Sequence, residues 1–300
     1  MRFRLAHLPT PLVRADKLAA AVGFPLPLLV KRDDLTGFGA TGNKARPLEF
    51  LLGDALAEGC DVLVSGGNEH SNFCQAVALA ASRAGLRCEL MVPADRSRLG
   101  TPNLRIARRA GAVLHALGAG ARSRVDDAVR LRAKELAAAG RRPYAIPRGG
   151  ATPVGALGFA FAAEELDKQL TEFGIIPELV VIAVGSGASC AGLLASPARW
   201  RVLGVSVSRP LDELGSVLAA CGAEHLDRAE LVDARGPGFG VPAPEDEAAA
   251  ELALRTEGLL LDHTYTAKSM AATLARLPDR TGPVVYWHTG GIVPAITEYC

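Results

Sequence analysis

The chain has 300 residues, and its 33 lysines and arginines face 32 acidic residues, for a formal net charge of +1. That balance, with only 5% aromatic residues, argues against a nucleic-acid binder, which needs a basic face or stacking platforms. Hydrophobic residues at 49% supply a sizeable core and exclude a disordered chain. No apolar run reaches the roughly 18–20 residues that span a bilayer, and no signal-peptide core opens the sequence, so a soluble, cytoplasmic protein is expected.

In chain order, apolar runs of strand length fall at 28–31, 61–65, 88–92, 112–117, 144–146, 179–184, 202–207 and 284–287. Helix-period segments lie between them, at 44–58, 76–84, 125–139, 153–170, 246–257 and 267–277. Such alternation predicts an α/β fold with mostly parallel sheets covered by helices on both faces. The one composition shift, 236–247, reads as a loop leading into a helix. Cysteines at 60, 74, 88, 190, 221 and 300 form no CxxC pair, and histidines at 7, 70, 115, 225, 263 and 288 form no HExxH. The cysteines are read as small hydrophobes, and no metal site is expected.

Four turns follow strand candidates, where ligands of open α/β sheets bind. The first, Gly37-Phe-Gly-Ala-Thr-Gly-Asn-Lys44, opens a helix that Thr41 or Asn43 could cap. Lys44 then lies in the first turn, where the helix dipole disfavours a positive charge and suits an imine-forming amine if the site is buried. An exposed lysine at a loop–helix junction is the plainer alternative. The second turn, Ser65-Gly-Gly-Asn-Glu-His-Ser-Asn72, offers backbone amides and the Ser71 and Asn72 side chains to a carboxylate, or ordinary helix capping. The third, Gly185-Ser-Gly-Ala-Ser-Cys-Ala-Gly192, fails the dinucleotide fingerprint because Cys190 stands at the third glycine position. It reads as a cradle for a single phosphate or as a purely structural turn. The fourth, His288-Thr-Gly-Gly291, sets Thr289 at a strand end. Together an imine-forming lysine, a carboxylate cradle, a phosphate cup and a strand-end hydroxyl suit pyridoxal phosphate, an aldehyde on a pyridine ring with one phosphate arm.

Longer stretches point the same way. Lys31-Arg-Asp-Asp-Leu-Thr-Gly37, Gly42-Asn-Lys-Ala-Arg46, Leu48-Glu-Phe-Leu-Leu52, Gly66-Gly67 with Ser71-Asn72, Ile146-Pro-Arg-Gly-Gly150 with Gly155-Ala-Leu-Gly158, and Gly185-Ser-Gly187 resemble the D-cysteine desulfhydrase / 1-aminocyclopropane-1-carboxylate deaminase family. So do Arg255-Thr-Glu-Gly258, Leu261-Asp262, Tyr265-Thr266, Lys268 and Thr289-Gly-Gly291. The resemblance implies fold type II of the pyridoxal-phosphate enzymes, which is tryptophan-synthase-β-like, with two open twisted sheets. It implies a large cofactor-binding domain from 1–48 and 156–300, a small α/β domain from 49–155, and a homodimer.

By the same resemblance Lys44 binds the cofactor covalently and shuttles the Cα proton. Asn72 hydrogen-bonds the cofactor's phenolic oxygen, and Ser71 holds or helps deprotonate the substrate. Gly185, Ser186, Gly187, Ala188 and Ser189 bind the phosphate, Thr289 meets the pyridine nitrogen, and Tyr265 lines the substrate face. His70, Phe73 and Phe239 are the remaining candidates for substrate contact.

Departures from the family pattern cluster near these positions. His70 replaces glutamine, Phe73 replaces histidine or glutamine, Phe239 replaces tyrosine, and His263-Thr264 replaces proline-valine. Thr41 and Pro47 also differ, and after Leu194 the chain is shorter than the pattern. The ring-opening deaminases carry an acid directly after the Tyr265 position and a tyrosine at the Phe239 position, whereas this chain has Thr266 and Phe239. The implied reaction is therefore α,β-elimination from a small β-substituted amino acid, by default D-cysteine. Cyclopropane ring opening, elimination or exchange on a specialised biosynthetic amino acid, and a non-catalytic amino-acid- or cofactor-binding protein are the alternatives.

Overall fold

A computed structural model describes residues 1–299; the cysteine at position 300 lies outside the described residues. In chain order the strands are β1 (Leu12–Arg14), β2 (Leu28–Arg32), β3 (Val62–Gly66), β4 (Arg87–Val92), β5 (Val113–Ala116), β6 (Pro143–Ala145), β7 (Leu179–Val184), β8 (Arg201–Ser206), β9 (Ala229–Asp233) and β10 (Val284–His288). The helices are α1 (Asp16–Ala21), α2 (Ala45–Ala57), α3 (Asn72–Arg83), α4 (Pro102–Arg109), α5 (Val125–Ala138), α6 (Pro153–Phe173), α7 (Ala188–Ala195), α8 (Leu211–Ala220), α9 (Pro244–Glu257), α10 (Thr266–Leu274) and α11 (Ile292–Tyr299). One compact unit comprises Met1–Ala6 with Lys44–Gly158, and the other His7–Asn43 with the chain from Phe159 onward. Both are α/β, as the strand–helix alternation predicts. Among the described residues no helix is long and apolar enough to cross a membrane.

In the unit containing Lys44–Gly158 the sheet order is β5-β4-β3-β6, with every pair parallel. The central strand β3, Val-Leu-Val-Ser-Gly, is buried throughout, and Val62, Val64 and Met91 pack against Val125 and Val129 of α5. The first residues of the chain are tied here by Glu49 of α2. Its buried carboxylate accepts the N–H of Leu5 at 2.8 Å and of Ala6 at 2.9 Å, and pairs with Arg2 at 2.6 Å.

In the unit containing the phosphate-loop sequence, six strands run in the order β1-β2-β10-β7-β8-β9, with only β1 antiparallel to its neighbour. Every position of β7 and β10 is buried, as expected for parallel strands covered on both faces. Leu28, Val181, Leu203, Met270 and Tyr286 share one core cluster with α1 and α9 residues. Phe159 of α6 meets Trp287, with ring centroids 5.4 Å apart. The buried Lys31 of β2 is neutralised by Glu165 at 2.5 Å and also donates to the Thr10 carbonyl at 2.7 Å. Because β10 is inserted between β2 and β7, the turns leaving those strands gather at one end of the sheet. This is where doubly wound sheets place their ligands.

Strands β1 and β9 and helices α1, α4, α8 and α11 lie outside the sequence expectation. The three residues of β1 and the half-buried, mixed-polarity Ala-Glu-Leu-Val-Asp of β9 are edge strands without a strong apolar run. The expected cap of α2 differs too. Lys44 holds the N-cap position with no side-chain cap, because the Asn43 side chain is used elsewhere.

Candidate active site

At the carboxyl end of β7 the chain turns through Gly185, Ser186 and Gly187 into α7. Gly187 has φ 103° and forms the N-cap, and no side chain caps the helix. A Cβ at this glycine would lie 2.8 Å from Val217 Cγ1, so only glycine fits. The first intrahelical bond runs from Ala191 N to Gly187 O at 2.9 Å; the amides of Ala188, Ser189 and Cys190 before it have no acceptor within the helix, as at any helix start. The first turn of α7 carries no acid. A glycine-lined, donor-rich, acid-free helix start fits a phosphate.

Side chains fix this cup. Asn43 Nδ2 donates to Ser189 Oγ at 3.2 Å, while Asn43 N donates to Thr289 O at 2.9 Å. Ser208 Oγ donates to Gly185 O at 3.2 Å. Asn43 thus binds the cup to the β10 turn, and the next residue is Lys44. Gly42 has φ 57°, and a Cβ there would approach Thr289 O to 2.5 Å, so the lysine-bearing loop packs backbone to backbone on that turn.

His288, wholly buried at the end of β10, shapes the same turn. Its Nε2 lies 3.1 Å from Leu260 O, and Nδ1 accepts from Gly290 N at 3.2 Å. A carbonyl can only accept and an amide only donate, so the ring is neutral and protonated on Nε2. Burial holds its pKa below the ordinary value, against the opposing pull of Asp34. The linkage has a definite sign: unfolded His288 takes a proton below about pH 6.5 and the folded ring resists it. Stability is therefore fully present above that pH and falls below it, by at most about 1.4 kcal/mol per pH unit, until the folded ring takes up the proton as well. In urea unfolding followed over this range, His288→Gln is expected to lose that increment of slope.

Asp262 builds the entry to α10. Its Oδ1 accepts the N–H of Thr264 at 3.0 Å and of Tyr265 at 2.9 Å, and its Oδ2 accepts Thr266 Oγ1 at 2.8 Å. The carboxyl is buried, which raises its pKa while these donors oppose the rise. Tyr265 is thereby held with its ring against Gly185, where a Cβ would meet Cε1 at 2.9 Å. Phe239 packs edge-on to Tyr265, with centroids 5.9 Å apart at 85°. Beside Phe239 a cavity of about 490 Å³ is lined by Val207, Ser208, Asp233, Arg235, Gly236 and Gly238. The loop bearing Phe239 is anchored by the buried Lys268, whose Nζ donates to Arg235 O at 3.1 Å and lies 3.3 Å from Asp246. His263 sits further out, 3.7 Å from Glu298.

In the other unit, Lys44 is half-buried at the start of α2. Ser71 is the N-cap of α3, its Oγ accepting Cys74 N at 3.2 Å. The adjoining Asn72 accepts from Asn103 Nδ2 at 2.9 Å through Oδ1. Phe73 is turned inward, 3% exposed, near Leu51 and under Gly150, and His70 is exposed. Burial pushes the Cys74 thiol up to about 11 and Cys190 up to about 12. Thiols held so far above neutrality are protonated packing groups.

Each unit thus groups its own candidates. Asn43, Gly185, Ser186, Gly187, Ala188, Ser189, Tyr265, Phe239 and Thr289 belong to one; Lys44, His70, Ser71, Asn72 and Phe73 belong to the other. Asn103 and Ser208 escaped sequence reasoning, since each is a lone polar residue outside any motif. Asp262 and His288 were legible only as members of motifs.

A family model described as pyridoxal-phosphate dependent enzyme matches residues 3–290. A provisionally named 1-aminocyclopropane-1-carboxylate deaminase of Pyrococcus abyssi is 35% identical, covering 99% of this chain and 93% of its own. A D-cysteine desulfhydrase of Klebsiella pneumoniae is also 35% identical, covering 99% and 96%. A crystal structure of an ACC deaminase homologue superposes with a TM-score of 0.89 at 30% identity, over 98% of this chain and 92% of the other.

Proposed function

This chain belongs to the pyridoxal-phosphate-dependent enzyme family, and from that premise we propose that it is a lyase acting on a small β-substituted amino acid. The default substrate is D-cysteine, which with water gives pyruvate, hydrogen sulfide and ammonia. Thr266 carries the choice. The ring-opening pattern has an acid at this position, whereas the Thr266 hydroxyl is buried, donating to Asp262 Oδ2 at 2.8 Å and accepting from Asp262 N at 2.7 Å. Its single proton is already spent, so it has none to donate to a ring nitrogen, and it carries no negative charge to hold that nitrogen protonated. A weakly assisted electron sink suits a thiolate, which leaves with its own electron pair, better than cleavage of a carbon–carbon bond.

When bound, pyridoxal phosphate supplies the sink for the electron pair left at Cα. The protein's part is to hold groups and move protons. Gly185, Ser186, Gly187, Ala188 and Ser189 would hold the phosphate by backbone N–H donors and the Ser189 hydroxyl, and Thr289 would meet the ring nitrogen. Lys44 would hold the cofactor covalently and, once displaced by the substrate amine, move the proton at Cα. Asn72 would donate to the phenolic oxygen. Ser71, fixed by Cys74 N, would keep its O–H for the substrate carboxylate. Tyr265, backed by Phe239, would line the substrate face, with His70 and Phe73 shaping the turn around Ser71. The family resemblance also supports a cytoplasmic location and a homodimer, and sedimentation of the purified protein would test the second.

The relative named as a deaminase keeps ring opening as the second reading. A panel assay for 2-oxo acid release separates them. D-cysteine and β-chloroalanine are expected to be turned over and 1-aminocyclopropane-1-carboxylate to stay at background. Preference for the cyclopropane substrate would reverse the choice, and turnover of none would favour a binding protein.

A further inference from the structure

Asn103 stands near the start of α4, 1% exposed, and its amide nitrogen bridges two partners on α3: Asn72 Oδ1 at 2.9 Å and Gln75 Oε1 at 2.8 Å. Gln75 is wholly buried. An amide nitrogen has two hydrogens, and both are engaged here. The consequence falls on Asn72. With Oδ1 already accepting, the end of its amide left over is Nδ2, a donor. Rotating that amide by half a turn would set two N–H groups against each other, Asn72 Nδ2 facing Asn103 Nδ2, and would leave a buried donor unsatisfied, which is costly.

We propose that Asn103 is a positioning residue that sets the polarity of the Asn72 amide, so that Asn72 presents a donor to the phenolic oxygen of pyridoxal phosphate. This rests on the reading above that Asn72 meets that oxygen. Asn103 itself touches neither cofactor nor substrate; it acts only by deciding which end of its neighbour faces outward. Asn72 with its oxygen outward would set two acceptors against each other.

The informative variant is Asn103→Asp. A carboxylate of the same shape accepts where the amide donated, so Asn72 and Gln75 both turn their NH2 groups inward. The two bonds between position 103 and α3 persist with their direction reversed, while the outward face of Asn72 is inverted. Full-length apoprotein is titrated with pyridoxal phosphate by fluorescence quenching, and the absorbance maximum of the bound cofactor is recorded; a merely structural role moves neither at matched thermal stability. The expected result is dissociation weakened about tenfold, the scale of one hydrogen bond to a charged group. The absorbance maximum should shift in the same direction as in Asn72→Ala, with no further loss in the double variant. If Asn72→Ala is impaired while Asn103→Asp binds and absorbs like the parent, the positioning role is wrong and the Asn72 reading stands. If Asn72→Ala itself is unchanged, the Asn72 reading fails and takes the inference with it. Should the carboxylate unsettle the fold, Asn103→Leu, which keeps the shape and removes both donors without adding charge, is measured in the same cycle and decides in the same way.

Discussion

Lys44→Ala is expected to yield a folded protein that turns over D-cysteine at least about 10⁴-fold more slowly, the upper end of what one positioned proton-transfer group supplies. The lysine is half-buried at the N-cap position of α2, with no side-chain cap of its own to lose. The adjoining Asn43 keeps its bonds to Ser189 and Thr289. Helix and turn should therefore survive the substitution. Borohydride reduction followed by mass spectrometry provides the check. The parent chain should carry one cofactor mass at Lys44, and the variant should carry none while still binding the cofactor reversibly through the phosphate cup. Undiminished turnover, or a cofactor fixed to another lysine, would overturn the assignment.

What could be read in advance depended on whether a residue's partner is close in sequence. The six apolar positions of β7 and the glycines after it form a local pattern, strand then turn then helix, and the structure reproduces it within a residue. Ser71 as the cap of α3 is equally local, because its partner Cys74 is three positions away. Asn43 shows the limit. Local rules make it a helix cap, but its side chain reaches Ser189, 146 positions on, and the start of α2 is left uncapped. No spacing rule connects those residues; the insertion of β10 beside β2 and β7 does. Asn103 and Asn72 are 31 positions apart and meet because α4 returns across α3. Phe73 was legible as an apolar residue in a ligand-binding motif, yet the helical period of α3 turns it toward Leu51 and the interior. The chemistry-bearing turns were legible because glycine and strand-end position are backbone properties. The side chains that orient them follow from tertiary packing.

Those orienting side chains share one feature: hydrogen-bonding capacity spent inward. Asp262 and Thr266 satisfy each other, His288 bridges an amide and a carbonyl, and Asn103 spends both hydrogens on α3. Buried polar groups with satisfied partners hold a single arrangement, because any alternative strands a donor or acceptor. A site that must hold a small charged ligand gains rigidity from such groups even where they never touch it.

Gly187→Ala tests whether the cup at the start of α7 binds the phosphate, and its expected effect is loss of cofactor affinity by roughly 10²–10⁴-fold. The estimate follows from two or so charge-assisted hydrogen bonds at about 1.5–3 kcal/mol each. Two physical penalties act together on that glycine. Its φ of 103° lies where L residues are disfavoured, and the added Cβ would stand 2.8 Å from Val217 Cγ1. The backbone must then rotate or move away from α8, and in either case the amides at the helix start lose their convergence. A second substitution separates the two causes. Val217→Ala makes room for the methyl group, so the double variant should regain the steric share of the loss and keep the backbone share. Binding is measured by titrating apoprotein with pyridoxal phosphate, and inorganic phosphate is used as a competitor for the cup alone. Parent-like affinity in Gly187→Ala, with phosphate competing equally well, would show that this turn is structural and that the cofactor's anionic arm is held elsewhere.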